Sequence, residues 1–248
     1  WDRENQTKKN NKQIELLNCL VLGIQDFCRK NGFTKIHLGI SGGIDSALVA
    51  CLAGRALGVE NVIGIALPSE FNDPISLILA KKLCENLKIK FIEFPIQKIY
   101  QASKNEIDKN FNIDQFSLVH ENLQARLRGL VLMAYANHSS SLLLSTSNKS
   151  EYAVGYSTLY GDMCGGLAPI GDLTKKQVVD LCLEINRQGI VIPEKIITRP
   201  PSAELRPNQK DQDSLPEYNK LDAAVVNLVE KMLKPRNETE RWTFSKLS

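Results

Sequence analysis

The chain has 248 residues, a formal net charge of +3 and 43% hydrophobic residues, proportions that suit one α/β unit with a substantial core and do not advertise a nucleic-acid partner through bulk charge. Its six cysteines, Cys19, Cys28, Cys51, Cys84, Cys164 and Cys182, never form C-x-x-C and fall mostly on apolar stretches, which argues for buried thiols in a reducing compartment rather than a disulfide framework or a zinc site. No apolar run reaches membrane length, so no membrane partner is expected and the expected setting is the cytoplasm.

Residues 1–12 are polar, mixed in charge and aperiodic, and read as a flexible lead-in or linker. Ile14, Leu17, Val21, Ile24 and Phe27 then recur at helical spacing until Gly32 ends the helix. From residue 35 the pattern alternates: strand at 35–40, helix at 44–57, strand at 61–67, helix at 74–87, strand at 90–94. Such alternation predicts βαβ units and a doubly wound parallel sheet with helices on both faces. Ligands of such sheets bind beyond the carboxyl ends of the strands.

Residues 101–115 are weakly patterned and read as a mobile or substrate-covering loop. A helix is expected at 118–137, a buried strand at 141–145, and an amphipathic helix at 175–184 that opens with Lys175 and Lys176. Arg199-Pro200-Pro201-Ser202 cannot be regular structure, and residues 210–214 form a charged loop. A last helix at 221–233 closes the main unit, read as residues 13–234, and residues 235–248 form an unpatterned tail.

Two stretches carry chemistry. Gly39-Ile40-Ser41-Gly42-Gly43-Ile44-Asp45-Ser46 takes a strand through a tight turn into a helix. The first N–H groups of a helix lack partners within it and its dipole favours negative charge, so this turn suits a pyrophosphate. Gly42 and Gly43 let the backbone approach a ligand, and Ser41 and Ser46 add hydroxyl donors. It is not a Walker A loop, because it has no G-x-x-x-x-G-K-[ST] spacing. Asp45 would repel a phosphate unless a divalent cation lay between them. The second stretch, Ser145-Thr146-Ser147-Asn148-Lys149-Ser150-Glu151, begins where a strand ends and so belongs beside the first. His37, His120 and His138 fit no triad or metal spacing.

With both stretches in view, the chain resembles the NAD synthetases, within the ATP pyrophosphatase superfamily. The resemblance runs from about Ile14 to Leu233. It rests on five motifs in the family's order: residues 39–46; Glu121-Asn122-Leu123-Gln124-Ala125-Arg126-Leu127-Arg128-Gly129; Asn148-Lys149-Ser150-Glu151; Gly155-Tyr156-Ser157-Thr158-Leu159-Tyr160-Gly161-Asp162; and Pro201-Ser202-Ala203-Glu204-Leu205.

The resemblance implies ATP-dependent amidation of deamido-NAD through an acyl-adenylate, with ammonia as nitrogen source and Mg2+ as cofactor. It implies that Gly39, Ser41, Gly42, Gly43, Asp45, Ser46, Thr146, Lys175 and Ser202 meet ATP or pyrophosphate. Asp45 and Glu151 would bind the metal, and Asp45, Glu151 and Ser46 would be the catalytic set. Deamido-NAD would meet Asn122, Arg126, Glu151, Tyr156, Ser157, Thr158, Leu159 and Asp162. A homodimer is implied, and residues 101–115 or 201–213 are candidates for a lid.

Several motifs look more like the glutamine-dependent branch, whose members carry a glutaminase domain in front. The chain is then either a synthetase domain served by a glutaminase domain or subunit, or a stand-alone enzyme using free ammonia. Three departures stand out: Leu159, where the ammonia-dependent branch has lysine; Glu70-Phe71-Asn72-Asp73, where serines are common; and no clean counterpart of a late Lys-Arg pair. Two other readings stay open. One is another adenylating pyrophosphatase of GMP synthetase-like type, and the other a non-catalytic nucleotide-binding subunit of a glutaminase complex. Intact Asp45 and Glu151 argue against the second.

Overall fold

The computed structural model describes residues 2–247, with side chains from residue 12 onward; Trp1, at the head of the expected lead-in, lies outside the described residues. Four parallel strands, β1 (Ile36–Gly39), β2 (Val62–Ala66), β3 (Lys90–Glu93) and β4 (Leu142–Leu144), lie in the order β3-β2-β1-β4. In chain order the helices are α1 (Asp2–Asn31), α2 (Ile44–Leu57), α3 (Pro74–Leu87), α4 (Gln97–Phe111), α5 (Leu118–Ser139), α6 (Lys149–Ala153), α7 (Lys175–Arg187), α8 (Glu194–Thr198), α9 (Tyr218–Val225) and α10 (Glu238–Leu247). A π-helical stretch, Val226–Glu230, continues α9.

The two-residue period of the strands separates the two layers. Ile36, Leu38 and Val62 point into the larger core with α1, α2, α3 and α7. Ile63 and Ile65 point the other way, onto Ile96 at the start of α4 and onto Val131, Leu132 and Tyr135 of α5. Both faces are therefore covered, as the alternation predicts. His37 shares the second face: its ring bonds the Leu132 carbonyl and the Ser141 hydroxyl, a structural role. The chain leaves β1 toward β2 on one side and reaches β4 on the other, so the sheet order reverses at β1/β4. That reversal opens a crevice at the carboxyl edge.

Four readings are corrected. Residues 101–115 are mostly helix α4, whose buried stripe includes Tyr100 and the partly covered polar residues Ser103, Lys104 and Asp108, so apolar periodicity hides it. Helix α1 runs back to Asp2, through most of the stretch read as a lead-in. The stretch read as a tail holds α10, anchored by buried Glu240, which accepts from Asn227 and from the Arg236 amide. The helix expected at 221–233 starts earlier, at Tyr218, and is π-helical from Val226.

All six cysteines are free thiols, four of them buried. Among the described residues no helix is long and apolar enough to cross a membrane.

Candidate active site

At the carboxyl edge of the sheet lies a cavity of about 580 Å³, walled by the turn after β1, the segment after β4, α7 and the 199–205 strap. The turn is held by its own serines. Gly43 N–H donates to Ser41 Oγ (3.2 Å), Ser46 Oγ donates to the Gly43 carbonyl (3.1 Å), and the two hydroxyl oxygens lie 3.2 Å apart. Gly42 has φ +78°, and a Cβ there would stand 2.2 Å from the Ser76 carbonyl oxygen in the first turn of α3. Only glycine fits that position.

Three segments bring charge to the floor. Asp45, in the first turn of α2, accepts from Asn148 Nδ2 (2.8 Å) and from Lys175 Nζ (2.6 Å). Glu151, in α6, lies 3.2 Å from the same Nζ, which sits 5.1 Å from the centre of the Tyr218 ring. Lys175 is 5% exposed. Burial favours its neutral form, but Asp45 and then Glu151 outweigh burial and hold it charged. Burial, opposed by Lys175 and abetted by Asp45, pushes Glu151 up to about 7.

A third carboxyl group, buried Asp211, comes from the loop before α9 and accepts the hydroxyls of Tyr156 (3.1 Å) and Tyr218 (2.7 Å). Burial and neighbouring carboxylates, Asp211 among them, raise both phenols. The far wall holds Arg128, whose guanidinium donates to the Leu67 carbonyl, Ser69 Oγ and Asn72 Oδ1; burial lowers it to about 10. Glu204 pins the strap, accepting from Ser76 Oγ (2.6 Å), Arg199 (2.7 Å) and Asn72 (2.9 Å).

The expected residues divide into two sets. Gly39, Ser41, Gly43, Asp45, Ser46, Thr146, Lys175 and Ser202 line the cavity, and so do Glu151, Tyr156 and Asp162. Gly42 packs behind the turn, against α3. Asn122, Arg126, Ser157, Thr158 and Leu159 do not line the cavity. Asn122 accepts from Thr158 Oγ1 (2.7 Å), Arg126 Nε donates to the Leu159 carbonyl (3.2 Å), and Leu159 is 57% exposed. Asp162 joins the sets, accepting the Thr158 amide (2.6 Å), and its burial raises it above the usual carboxylate range. Ser202 Oγ is spent within the strap, donating to the Gln209 carbonyl.

Asp211 and Tyr218 went unread in sequence, where 210–214 looked like a solvated loop; their only signal was adjacency to the strap. Asn148 and Arg128 lay inside quoted motifs without a role.

Two acidic residues sharing one lysine beside a helix N-terminus could take a polyphosphate together with a divalent cation. Among the described residues no group of three or more His, Cys, Asp or Glu side chains could hold a metal ion. Phosphate oxygens would have to complete the coordination.

A family model described as NAD synthase matches residues 16–246. The chain is 50% identical over 224 residues to a glutamine-dependent NAD(+) synthetase of Aquifex aeolicus, covering 90% of this chain and 40% of that protein. It thus spans about two fifths of the length of such curated relatives. Two solved structures superpose on it. The glutamine-dependent NAD+ synthetase of Acinetobacter baumannii, in complex with ADP, gives a TM-score of 0.73 at 34% identity, covering 94% of this chain and 43% of that one. The NMN synthetase of Francisella tularensis gives 0.81 at 28%, covering 95% and 92%.

Two predictions follow from this geometry. A carboxyl group whose folded pKa is about 7, against about 4.5 when unfolded, binds more protons folded than unfolded between those values. Stability therefore falls as pH rises from about 5 through 7. Thermal melts across pH 5–8 should show this decline, and Glu151→Gln should flatten it; an unchanged slope in that variant would contradict the assignment. Gly42→Ala should lower the melting temperature by several degrees more than Gly32→Ala. Both positions have positive φ, but a Cβ at Gly32 meets nothing within 4 Å. Equal losses would show that the contact with Ser76 does not matter.

Proposed function

The chain belongs to the NAD synthase family, and we propose that it converts deamido-NAD to NAD with ATP and ammonia, releasing AMP and pyrophosphate. The observation that carries this reading is the meeting of Asp45 and Glu151 on Lys175, beside an anion-binding turn in a cavity large enough for a nucleotide.

A carboxylate is a poor electrophile because its leaving group would be oxide. In the proposed reaction the nicotinate carboxylate attacks the α-phosphorus of ATP and pyrophosphate departs; ammonia then attacks the acyl-adenylate and AMP departs. The protein's part is placement and charge compensation. The turn at residues 39–46 would hold the departing pyrophosphate through Ser41, Ser46 and the first amides of α2. Thr146, Lys175 and the strap around Ser202 would hold the rest of ATP. Lys175, already kept charged, would present its ammonium to phosphate oxygens.

The two carboxylates facing one cation fit a hard divalent ion such as Mg2+, held by Asp45, Glu151 and phosphate oxygens. When bound, such an ion would neutralise the charge of the leaving pyrophosphate.

Asn122, Arg126 and residues 156–159 would take the dinucleotide on the outer side of the 156–162 loop, with Asp162 between the two regions. The strap, closed by Glu204 and Asp211, would keep water from the acyl-adenylate. Residues 13–234 form the proposed synthetase unit, with α10 docked on α9. The exposed apolar side chains Leu118, Leu130 and Met133 of α5 support a homodimer. The glutamine-dependent relatives support delivery of ammonia by a glutaminase domain or subunit. Six free thiols suit a cytoplasmic setting.

The test is a steady-state assay with ATP, Mg2+ and deamido-NAD, read through alcohol dehydrogenase, with ammonium or glutamine as donor. NAD should form with ammonium and not with glutamine. A parallel arm with nicotinate mononucleotide separates dinucleotide from mononucleotide amidation. A folded chain that makes NAD from neither donor would overturn the proposal. Light scattering should give twice the chain mass, and a monomer at assay concentration would overturn the dimer.

A further inference from the structure

Helix α7 packs on α2, which carries Asp45, and α9 packs on both α6 and α7, so the hold of α9 on these two helices bears on how Glu151 and Lys175 meet Asp45. Both are neighbours of residues gripped by one carboxyl group. Asp222 of α9 accepts from Ser150 Oγ through Oδ1 (2.5 Å) and from the Lys176 amide through Oδ2 (2.7 Å). Ser150 Oγ in turn accepts from the Lys175 amide (3.1 Å). Ser150 precedes Glu151 in α6, and Lys175 and Lys176 open α7. Asp222 and Ser150 are both buried, at 6% and 0% exposure.

We propose that Asp222 is a positioning residue that clamps the N-termini of α6 and α7 together and thereby sets Glu151 and Lys175 against Asp45. Its carboxylate serves two free amides at the start of α7, one directly and one through Ser150. That is where a helix dipole favours negative charge and where charge-assisted bonds are strongest. Both carboxylate oxygens are engaged, so Asp222 acts through these helices. A site of this kind tolerates misplacement of only about half an ångström, and the Asp222–Ser150 pair adds side-chain bonds to the backbone bond from the Lys149 amide to the Leu173 carbonyl that ties the same two segments.

Asp222→Asn keeps the shape but turns an N–H toward Ser150, reversing that hydroxyl and removing the charge from the α7 terminus. Ser150→Ala removes the bridge and leaves the carboxylate, and it serves if the first variant does not fold.

The proposal rests on the nucleotide-binding reading of the cavity, so two readouts are needed. In calorimetry with ATP and Mg2+, each variant should bind at least about fivefold more weakly than wild type. In a Lys175→Met background the further loss from Asp222→Asn should largely vanish, which a merely structural role would not produce. Without nucleotide, acylation of Lys175 by an amine-reactive reagent, followed by peptide mass spectrometry, should speed up severalfold in both variants. Wild type that binds no ATP would sink the nucleotide reading while the acylation result still decides this one. Additive losses in the cycle, or Lys175 reactivity unchanged in both variants, would overturn the clamp.

Discussion

The ammonium of Lys175, 2.6 Å from Asp45 and 3.2 Å from Glu151, is the contact on which the rest of this molecule's polar architecture turns. It joins α2, α6 and α7, and its partners lie 130 and 24 residues away along the chain. Two carboxylates on the floor of a cavity repel one another and lose hydration. One buried lysine lowers that cost without cancelling it, which is why Glu151 remains raised. Removing the lysine would leave two uncompensated buried charges, a loss of about 3–5 kcal/mol by comparison with other broken buried pairs. With Asp211 nearby, the site holds more negative than positive charge. A polyphosphate would worsen that imbalance unless a cation entered with it, so in the proposed reaction metal and nucleotide arrive as linked events.

The turn after β1 depends on a second constraint. Gly42 brings the backbone against the Ser76 carbonyl, and the Ser76 hydroxyl is held by Glu204 from the strap. Glu204 itself adopts φ +49° and is paired with Arg199. The turn, the start of α3 and the strap are therefore one contact. The strap holds the side chain of the same residue whose backbone stands behind Gly42.

The sheet and the turn were legible because their signals are local. Alternating apolar runs fix β1 to β4, and a strand running into Ser-Gly-Gly-Ile-Asp-Ser has few structural meanings. Helix α4 was missed because its covered stripe uses Ser103, Lys104 and Asp108, with Asp108 bonded to Lys104 and to the buried ring of His120. Helix α10 was missed for the same reason, since Glu240 is one of its anchors. Apolar periodicity cannot see a helix whose covered stripe includes charged and polar side chains. Asp211 and Asp222 were illegible on different grounds. Each is a charged residue in an unremarkable stretch whose partners, Tyr156 and Ser150, lie 55 and 72 residues earlier.

The division of the expected site into two sets follows from helix phase. On α5, Ala125, Arg128, Gly129 and Leu132 lie three or four residues apart and face the cavity. Asn122 and Arg126, also four apart, occupy the neighbouring stripe and hold the 156–162 loop from outside. One helix thus serves two surfaces, and the loop it supports forms the partition between them. Tyr156, Gly161 and Asp162 of that loop reach the cavity, and Asp162 does so while accepting the Thr158 amide behind it. Asp162 thus stands between the two surfaces, buried at the cavity side. In the proposed chemistry, the phase of α5 would give each substrate its own surface of one helix, with Asp162 between them.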